Sequence, residues 1–259
     1  MTGSIGRKFK LECNGRLIPC ELLEPETITG KPFLLINLTG TAHGAIYEDP
    51  FIQPAIPFVE AGHRVISFDI PCHGERIDER YGSEIAGLRK MYVASENVFE
   101  QMAEECSCVV DYIIKQGLAE SGQIAICGCS RGGYMALRAF ASDKRIAAAS
   151  AISPVTDWRC LLEFERERNS VALARERLLN YVDGMAGRPI YMAIGNNDTR
   201  VSTESCKELY EAIRKCNRKS GLDDSVAELT ITNDPGHTLS TEYRRKCGEF
   251  LLHWLEKVN

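Results

Sequence analysis

Short apolar runs alternate with longer amphipathic stretches along most of this chain, and that alternation narrows its fold more than any other feature. Residues 32–38 (PFLLINL), 64–70 (RVISFDI), 123–127 (QIAIC), 146–152, 189–194 and 226–232 read as buried strands. Between and after them, 51–61, 95–116, 132–141, 203–215 and 243–258 carry the spacing of helices; in 95–116, Val98, Met102, Cys106, Val109 and Ile113 recur on one face. Strands and helices in this order predict a mostly parallel central sheet covered by helices on both faces. At 259 residues the chain fits one large domain, 1–259. Two segments break the alternation. Residues 71–94 are polar and irregular, and 154–187 are longer than an ordinary crossover and rich in Arg and Glu. The second is expected to form a small helical cap over the strand ends, where open α/β sheets hold their ligands.

Between the strand at 123–127 and the helix after it stands Gly128-Cys129-Ser130-Arg131-Gly132-Gly133, a G-x-S-x-G turn. Such a turn exposes a serine hydroxyl, and glycines on either side keep strand and helix from colliding. The helix start then supplies the Arg131 amide as a donor to a developing oxyanion. The turn lacks G-x-G-x-x-G and Gly-Lys-Ser/Thr, so dinucleotide and P-loop readings do not fit.

A serine nucleophile in this setting calls for an acid and then a histidine, each after its own strand. Asp198 follows the strand at 189–194 and His237 follows the strand at 226–232, in the required order. His43, His63 and His73 precede the serine, and His253 lies within the last helix. Asp234 is a rival acid, but it sits too near His237 to come from a separate strand. Thr39-Gly40-Thr41, after the strand at 32–38, offers the Thr41 amide as a second oxyanion donor. Ser130, Asp198 and His237 are therefore the candidate catalytic residues. Tyr47, His73, Trp158 and Phe164 are candidates for the substrate pocket, Trp158 having core packing as its alternative. Glu75 and Arg76 are expected to brace the 71–94 loop by a mutual salt bridge, and Arg131 is a candidate for meeting an acidic substrate.

These residues resemble the α/β-hydrolase superfamily, and within it the dienelactone hydrolase-like and prolyl oligopeptidase-like serine esterases. Gly62-His63-Arg64-Val65 with Asp69-Ile70-Pro71-Cys72-His73-Gly74-Glu75-Arg76 is similar to the strand and "D-x-P-x-H-G-E-R" loop of such esterases. Ser153-Pro154-Val155-Thr156-Asp157-Trp158 and the run from Gly195 to Val201 are similar to prolyl oligopeptidase-type catalytic domains. The resemblance implies the α/β-hydrolase fold and a serine esterase. Two departures accompany it. Thr39-Gly40 stands where many members carry His-Gly, and Ser130 stands where dienelactone hydrolases proper carry cysteine. Only about 30 residues precede the first strong strand, which weighs against the propeller that restricts prolyl oligopeptidases to peptides.

Composition trims the alternatives. A net charge of −5 disfavours nucleic acid as a partner. No apolar run approaches the ~20 residues that span a bilayer, and residues 1–10 lack the apolar core of a secretory signal. The eleven cysteines are scattered, and their two C-x-C pairs do not match zinc spacing. They are expected to be reduced, mostly buried thiols in a cytoplasmic protein, with a disulfide or metal as the alternative. No metal or organic cofactor is expected. Three functions remain open: hydrolysis of a small or medium acyl ester, hydrolysis of a small peptide or amide, and non-catalytic binding of a small molecule.

Overall fold

Leu34–Leu38 and Arg64–Phe68 are buried at every position, as strands covered on both faces must be. In the computed structural model, which describes residues 4–28 and 32–258, they lie within one eight-stranded sheet. Residues 1–3 of the polar N-terminus lie outside that range. In chain order the strands are β1 (Ser4–Cys13), β2 (Arg16–Pro25), β3 (Leu34–Leu38), β4 (Arg64–Phe68), β5 (Ile124–Cys129), β6 (Ile146–Ile152), β7 (Ile190–Gly195) and β8 (Ala227–Thr232). Their spatial order is β1-β2-β4-β3-β5-β6-β7-β8. β1, β2 and β4 pair antiparallel, and every pair from β4–β3 to β7–β8 is parallel. This is the α/β-hydrolase fold.

The helices are α1 (Ala42–Tyr47), α2 (Ile56–Glu60), α3 (Glu84–Val93), α4 (Val98–Lys115), α5 (Arg131–Ser142), α6 (Val171–Arg175), α7 (Val182–Met185), α8 (Thr203–Lys219) and α9 (Thr241–Val258). Side chains alternate across a strand, and β5 shows the consequence. Ile124 and Ile126 join the core beneath α4, α5 and α8, whereas Ala125 and Cys127 join that beneath α2 and α9. In α8 the buried residues Cys206, Leu209 and Ile213 fall at spacings of three and four, so one stripe faces the sheet. No helix among the described residues is long and apolar enough to cross a membrane.

The β1–β2 hairpin is absent from the strands expected on apolar runs. Its sequence signal is Asn14-Gly15: both have positive φ (51° and 77°), and Cys13 pairs with Arg16 across them, a two-residue hairpin loop. β1 hides its strand character because it is an edge, largely exposed and studded with Arg7, Lys8 and Lys10.

The cysteines require a correction. Cys13, at the end of β1, is disulfide-bonded to Cys108 in α4, and the other nine are free. The partners lie 95 residues apart, so no local spacing announces the pair. The bond staples the hairpin to α4, and with it the expectation of a reducing compartment loses its premise of an all-thiol chain.

The insertion at 154–187 consists of α6, α7 and short 3₁₀ turns at Trp158–Cys160, Leu162–Glu167 and Leu178–Tyr181. It packs against α3, α5 and α8 and seals an aromatic cluster there.

Candidate active site

Ser130 caps the N-terminus of α5 at φ 56° and ψ −117°, a left-handed conformation that is strained for serine. The flanking glycines explain how it is held. A Cβ on Gly128 would stand 2.1 Å from the Gly132 oxygen, and one on Gly132 would stand 2.3 Å from the Leu38 oxygen. Strand, helix and the loop after β3 therefore touch backbone to backbone. The Ser130 N–H donates to the Ile152 oxygen at 2.9 Å, and its carbonyl accepts from Val155 at 3.0 Å.

His237 stands in the loop after β8, with Nε2 3.0 Å from Ser130 Oγ and Nδ1 2.8 Å from Asp198 Oδ2. Asp198 follows β7 and is buried. Its Oδ1 accepts the N–H groups of Arg200 (3.0 Å) and Val201 (3.2 Å), leaving Oδ2 for the imidazole. A carboxylate acceptor at Nδ1 selects the tautomer with its proton there, so Nε2 presents a lone pair to the serine hydroxyl. Asp234 makes no hydrogen bond to His237; its backbone oxygen crowds Gly195 instead.

Ser130 and His237 line a pocket of about 440 Å³ together with Thr39, Gly40, Thr41, Phe51, His73, Glu84, Cys129, Arg131 and Arg244. That volume suits a small organic ligand. The N–H groups of Thr41 and Arg131 take no part in the hydrogen bonds of the surrounding turns and caps. A larger cleft of about 700 Å³, by Arg76, Arg80 and Tyr81, contains none of Ser130, Asp198 and His237.

A model of the prolyl oligopeptidase family matches residues 91–259, well over half of the chain. The chain belongs to the prolyl oligopeptidase family. It is 28% identical over 141 residues to YitV of Bacillus subtilis (strain 168), a protein named as an esterase; the match covers 50% of this chain and 53% of that one. It is 24% identical over 148 residues to the mouse (Mus musculus) protein named inactive dipeptidyl peptidase 10, covering 54% of this chain and 18% of the relative. The chain thus spans about half the length of the first relative and under a fifth of the second. The Pyrococcus furiosus esterase Pf2001 superposes with a TM-score of 0.67 at 21% identity, covering 97% of this chain and 93% of that one. At that identity the likeness establishes the shared fold.

Within this prolyl oligopeptidase family member, the other residues singled out from sequence fall in different places. His73 lines the pocket, fully buried, against Gly40, where a Cβ would stand 2.6 Å from its ring. Its Nδ1 lies 2.8 Å from the Pro71 oxygen and its Nε2 3.0 Å from Glu84 Oε2. Burial, then the Arg131 guanidinium, pushes its pKa down, and the Pro71 oxygen and Glu84 pull the other way. Arg131 is itself ion-paired with Glu84, so its charge is already answered. Tyr47 does not reach the pocket; it lies over β1, where its Oη would clash with a Cβ on Gly6. Trp158 and Phe164 do not reach it either. Both are fully buried with Phe99 and Tyr134, the packing alternative for Trp158. No residue of 154–187 lines the pocket, so the insertion closes the core beside the site rather than roofing it.

Several supporting contacts escaped the sequence reading. Asp69, after β4, accepts from the Ala42 N–H (2.8 Å) beside the Thr39–Thr41 loop and from the Glu75 N–H (2.8 Å). Gly74 must be glycine there: φ is +53° and a Cβ would stand 2.2 Å from Asp69 Oδ2. Glu75 and Arg76 do not pair with each other. Glu75 meets Lys10 on β1, and Arg76 clasps the fully buried Glu105 of α4 with two bonds of 2.7 Å. Glu105 also receives Gln101 (2.8 Å) and Arg16 (3.2 Å). Removing it strands the largely buried Arg76 charge under the loop. Glu105→Ala is expected to lower stability by about 3 kcal/mol, read from the midpoint of chemical unfolding.

Proposed function

We propose that this chain is a serine hydrolase that cleaves a carboxylic ester of a small or medium acyl group through an acyl-enzyme on Ser130. The observation that carries the reading is the single imidazole placed 3.0 Å from Ser130 Oγ and 2.8 Å from a buried carboxylate, beside two uncommitted backbone amides. His237 Nε2 takes the hydroxyl proton as Oγ attacks the ester carbonyl, and the imidazolium so formed faces the Asp198 carboxylate. The N–H groups of Arg131 and Thr41 are the donors for the oxyanion, each such donor supplying about 10²–10³ in rate. The oxyanion collapses, the ester C–O bond breaks, and His237 returns the proton to the departing alkoxide. Water then attacks the acyl-enzyme by the same route, releasing the acid and restoring the serine. Cys129 does not compete for the nucleophile role. Burial pushes its thiol pKa up, with the Arg244 guanidinium opposing, and His237 is aimed at Ser130.

Membership of a family named for prolyl oligopeptidase gives the second reading, hydrolysis of small peptides or amides, its support. The likeness to a relative named inactive keeps the third, a binder without turnover, in the test. A fluorophosphonate is expected to label the wild-type protein at Ser130 and to leave Ser130→Ala unlabelled at the same unfolding midpoint. Failure to label the wild type would sink both hydrolase readings. Rates on p-nitrophenyl acyl esters against aminoacyl-naphthylamides then separate ester from amide cleavage, the ester reading requiring the former to be faster.

A further inference from the structure

Three arginines are buried among the described residues: Arg64, Arg138 and Arg244, each 6–7% exposed. Two have a carboxylate. Arg64 Nε bonds Glu24 at 2.9 Å, and Arg138 Nη2 bonds Glu100 at 2.7 Å. Arg244 has none within 4 Å among the described residues. Its Nε donates to the Leu239 oxygen at 3.0 Å, its Nη1 reaches Cys129 Sγ at 3.6 Å, and its guanidinium carbon lies 5.8 Å from the centre of the Phe51 ring. A carbonyl, a thiol and an aromatic ring leave the positive charge uncompensated.

Two physical costs attach to that placement. An ionised group taken out of water without a counter-charge is unfavourable. Arg244 also lies in the first turn of α9, where the aligned peptide dipoles already present positive potential. A bound anion relieves both, and a guanidinium offers a carboxylate two parallel N–H donors. The pocket offers such an anion a place. Arg244 lines the same cavity as Ser130, and its Nη1 touches Cys129, the residue before the serine. The other charged groups on the cavity wall do not answer it. Glu84 is held by Arg131 and His73, and Glu48, exposed at the rim, forms no ion pair among the described residues. The Glu48 carboxylate disfavours a second negative charge at the mouth, which points to a monoanion reaching the inner wall.

We infer that Arg244 is the anion-recognition residue of this pocket and that the ester cleaved at Ser130 carries a carboxylate. The substrate part of this inference rests on the serine-hydrolase reading; the anion site itself does not. The carboxylate can belong to the acyl or to the alcohol part, and two ester pairs separate these sources. p-Nitrophenyl hydrogen glutarate against p-nitrophenyl butyrate puts the charge on the acyl side. The acetate ester of 5-hydroxy-2-nitrobenzoic acid against p-nitrophenyl acetate puts it on the leaving group. Wild-type kcat/KM is expected to favour the anionic member of one pair by about tenfold or more, the worth of one good charged hydrogen bond. Arg244→Gln is expected to bring that ratio to about one, and Arg244→Lys, which keeps the charge without the fork, to an intermediate value. A wild-type ratio at or below one in both pairs, or a preference that Arg244→Gln leaves intact, overturns the assignment. A purely structural Arg244 would slow both members of a pair alike and leave their ratio unmoved.

Calorimetric binding of monomethyl glutarate, a monoanion, to Ser130→Ala, with and without Arg244→Gln, gives a second readout that needs no turnover. Binding lost on the second substitution supports the anion site even where no ester is cleaved, an outcome that would defeat the hydrolase reading alone. No binding to Ser130→Ala overturns the anion site, whatever fluorophosphonate labelling shows.

Discussion

Asp198→Asn is expected to lower kcat on a p-nitrophenyl ester by about 10⁴-fold while the protein remains folded. The two oxygens of the Asp198 carboxylate have different neighbours. Oδ1 accepts from the Arg200 and Val201 N–H groups, and Oδ2 faces His237 Nδ1. An asparagine must keep its oxygen where the two backbone donors point, so its NH₂ group turns toward the imidazole. Nδ1 then has to accept rather than donate, and the ring proton moves to Nε2. In that tautomer the nitrogen facing Ser130 Oγ has no lone pair to take the hydroxyl proton. Size and shape are nearly unchanged, so the expected loss falls on kcat with KM within a few-fold and with an unaltered unfolding midpoint. A variant that kept a tenth of wild-type kcat would show that Asp198 does not set the tautomer, and the proposed role of His237 would fall with it.

How much of this molecule was legible in its sequence depends on which forces are local. The parallel strands were legible because burial on both faces demands continuous apolar runs, as in Leu34–Leu38 and Ile190–Gly195. The placing of Ser130, Asp198 and His237 was legible because each comes after its own strand, and parallel strands deliver the loops at their C-terminal ends to one edge of the sheet. β1 was obscured because an edge strand has no buried run; Asn14-Gly15 was the signal available for it. Pairing across long separations left no trace. The Cys13–Cys108 bond and the Arg76–Glu105 clasp both join segments that meet only once the sheet is assembled. The aromatic residues were ambiguous for a further reason. Apolar character announces burial but not the destination, and Trp158 and Phe164 filled the core beneath the insertion while Phe51 reached the pocket wall. For Arg244 the informative fact is a missing carboxylate, and only an assembled neighbourhood can show one missing.

Gly132→Ala is expected to lower stability by about 4 kcal/mol or more. The position lies in the first turn of α5, where alanine is ordinarily the better helix former by about 1 kcal/mol, so helix propensity argues for a gain. Packing reverses the sign. The added methyl would stand 2.3 Å from the Leu38 oxygen, 2.7 Å from its carbon and 3.0 Å from Thr39 Cα. All three are backbone atoms at the end of a fully buried strand, so no side-chain rotation relieves the contact. Relief requires α5 to back away from β3, which pulls the Arg131 amide from the Thr41 amide and separates the two proposed oxyanion donors. Gly62→Ala is the matched control. Its φ of +80° makes any side chain strained, but nothing lies within 4 Å, so the expected cost is only about 1–2 kcal/mol. Unfolding midpoints for the two variants measure the difference directly. If Gly132→Ala unfolds no earlier than Gly62→Ala, the contact between helix and strand yields easily, and the rigid spacing of the two donors is not what the turn provides.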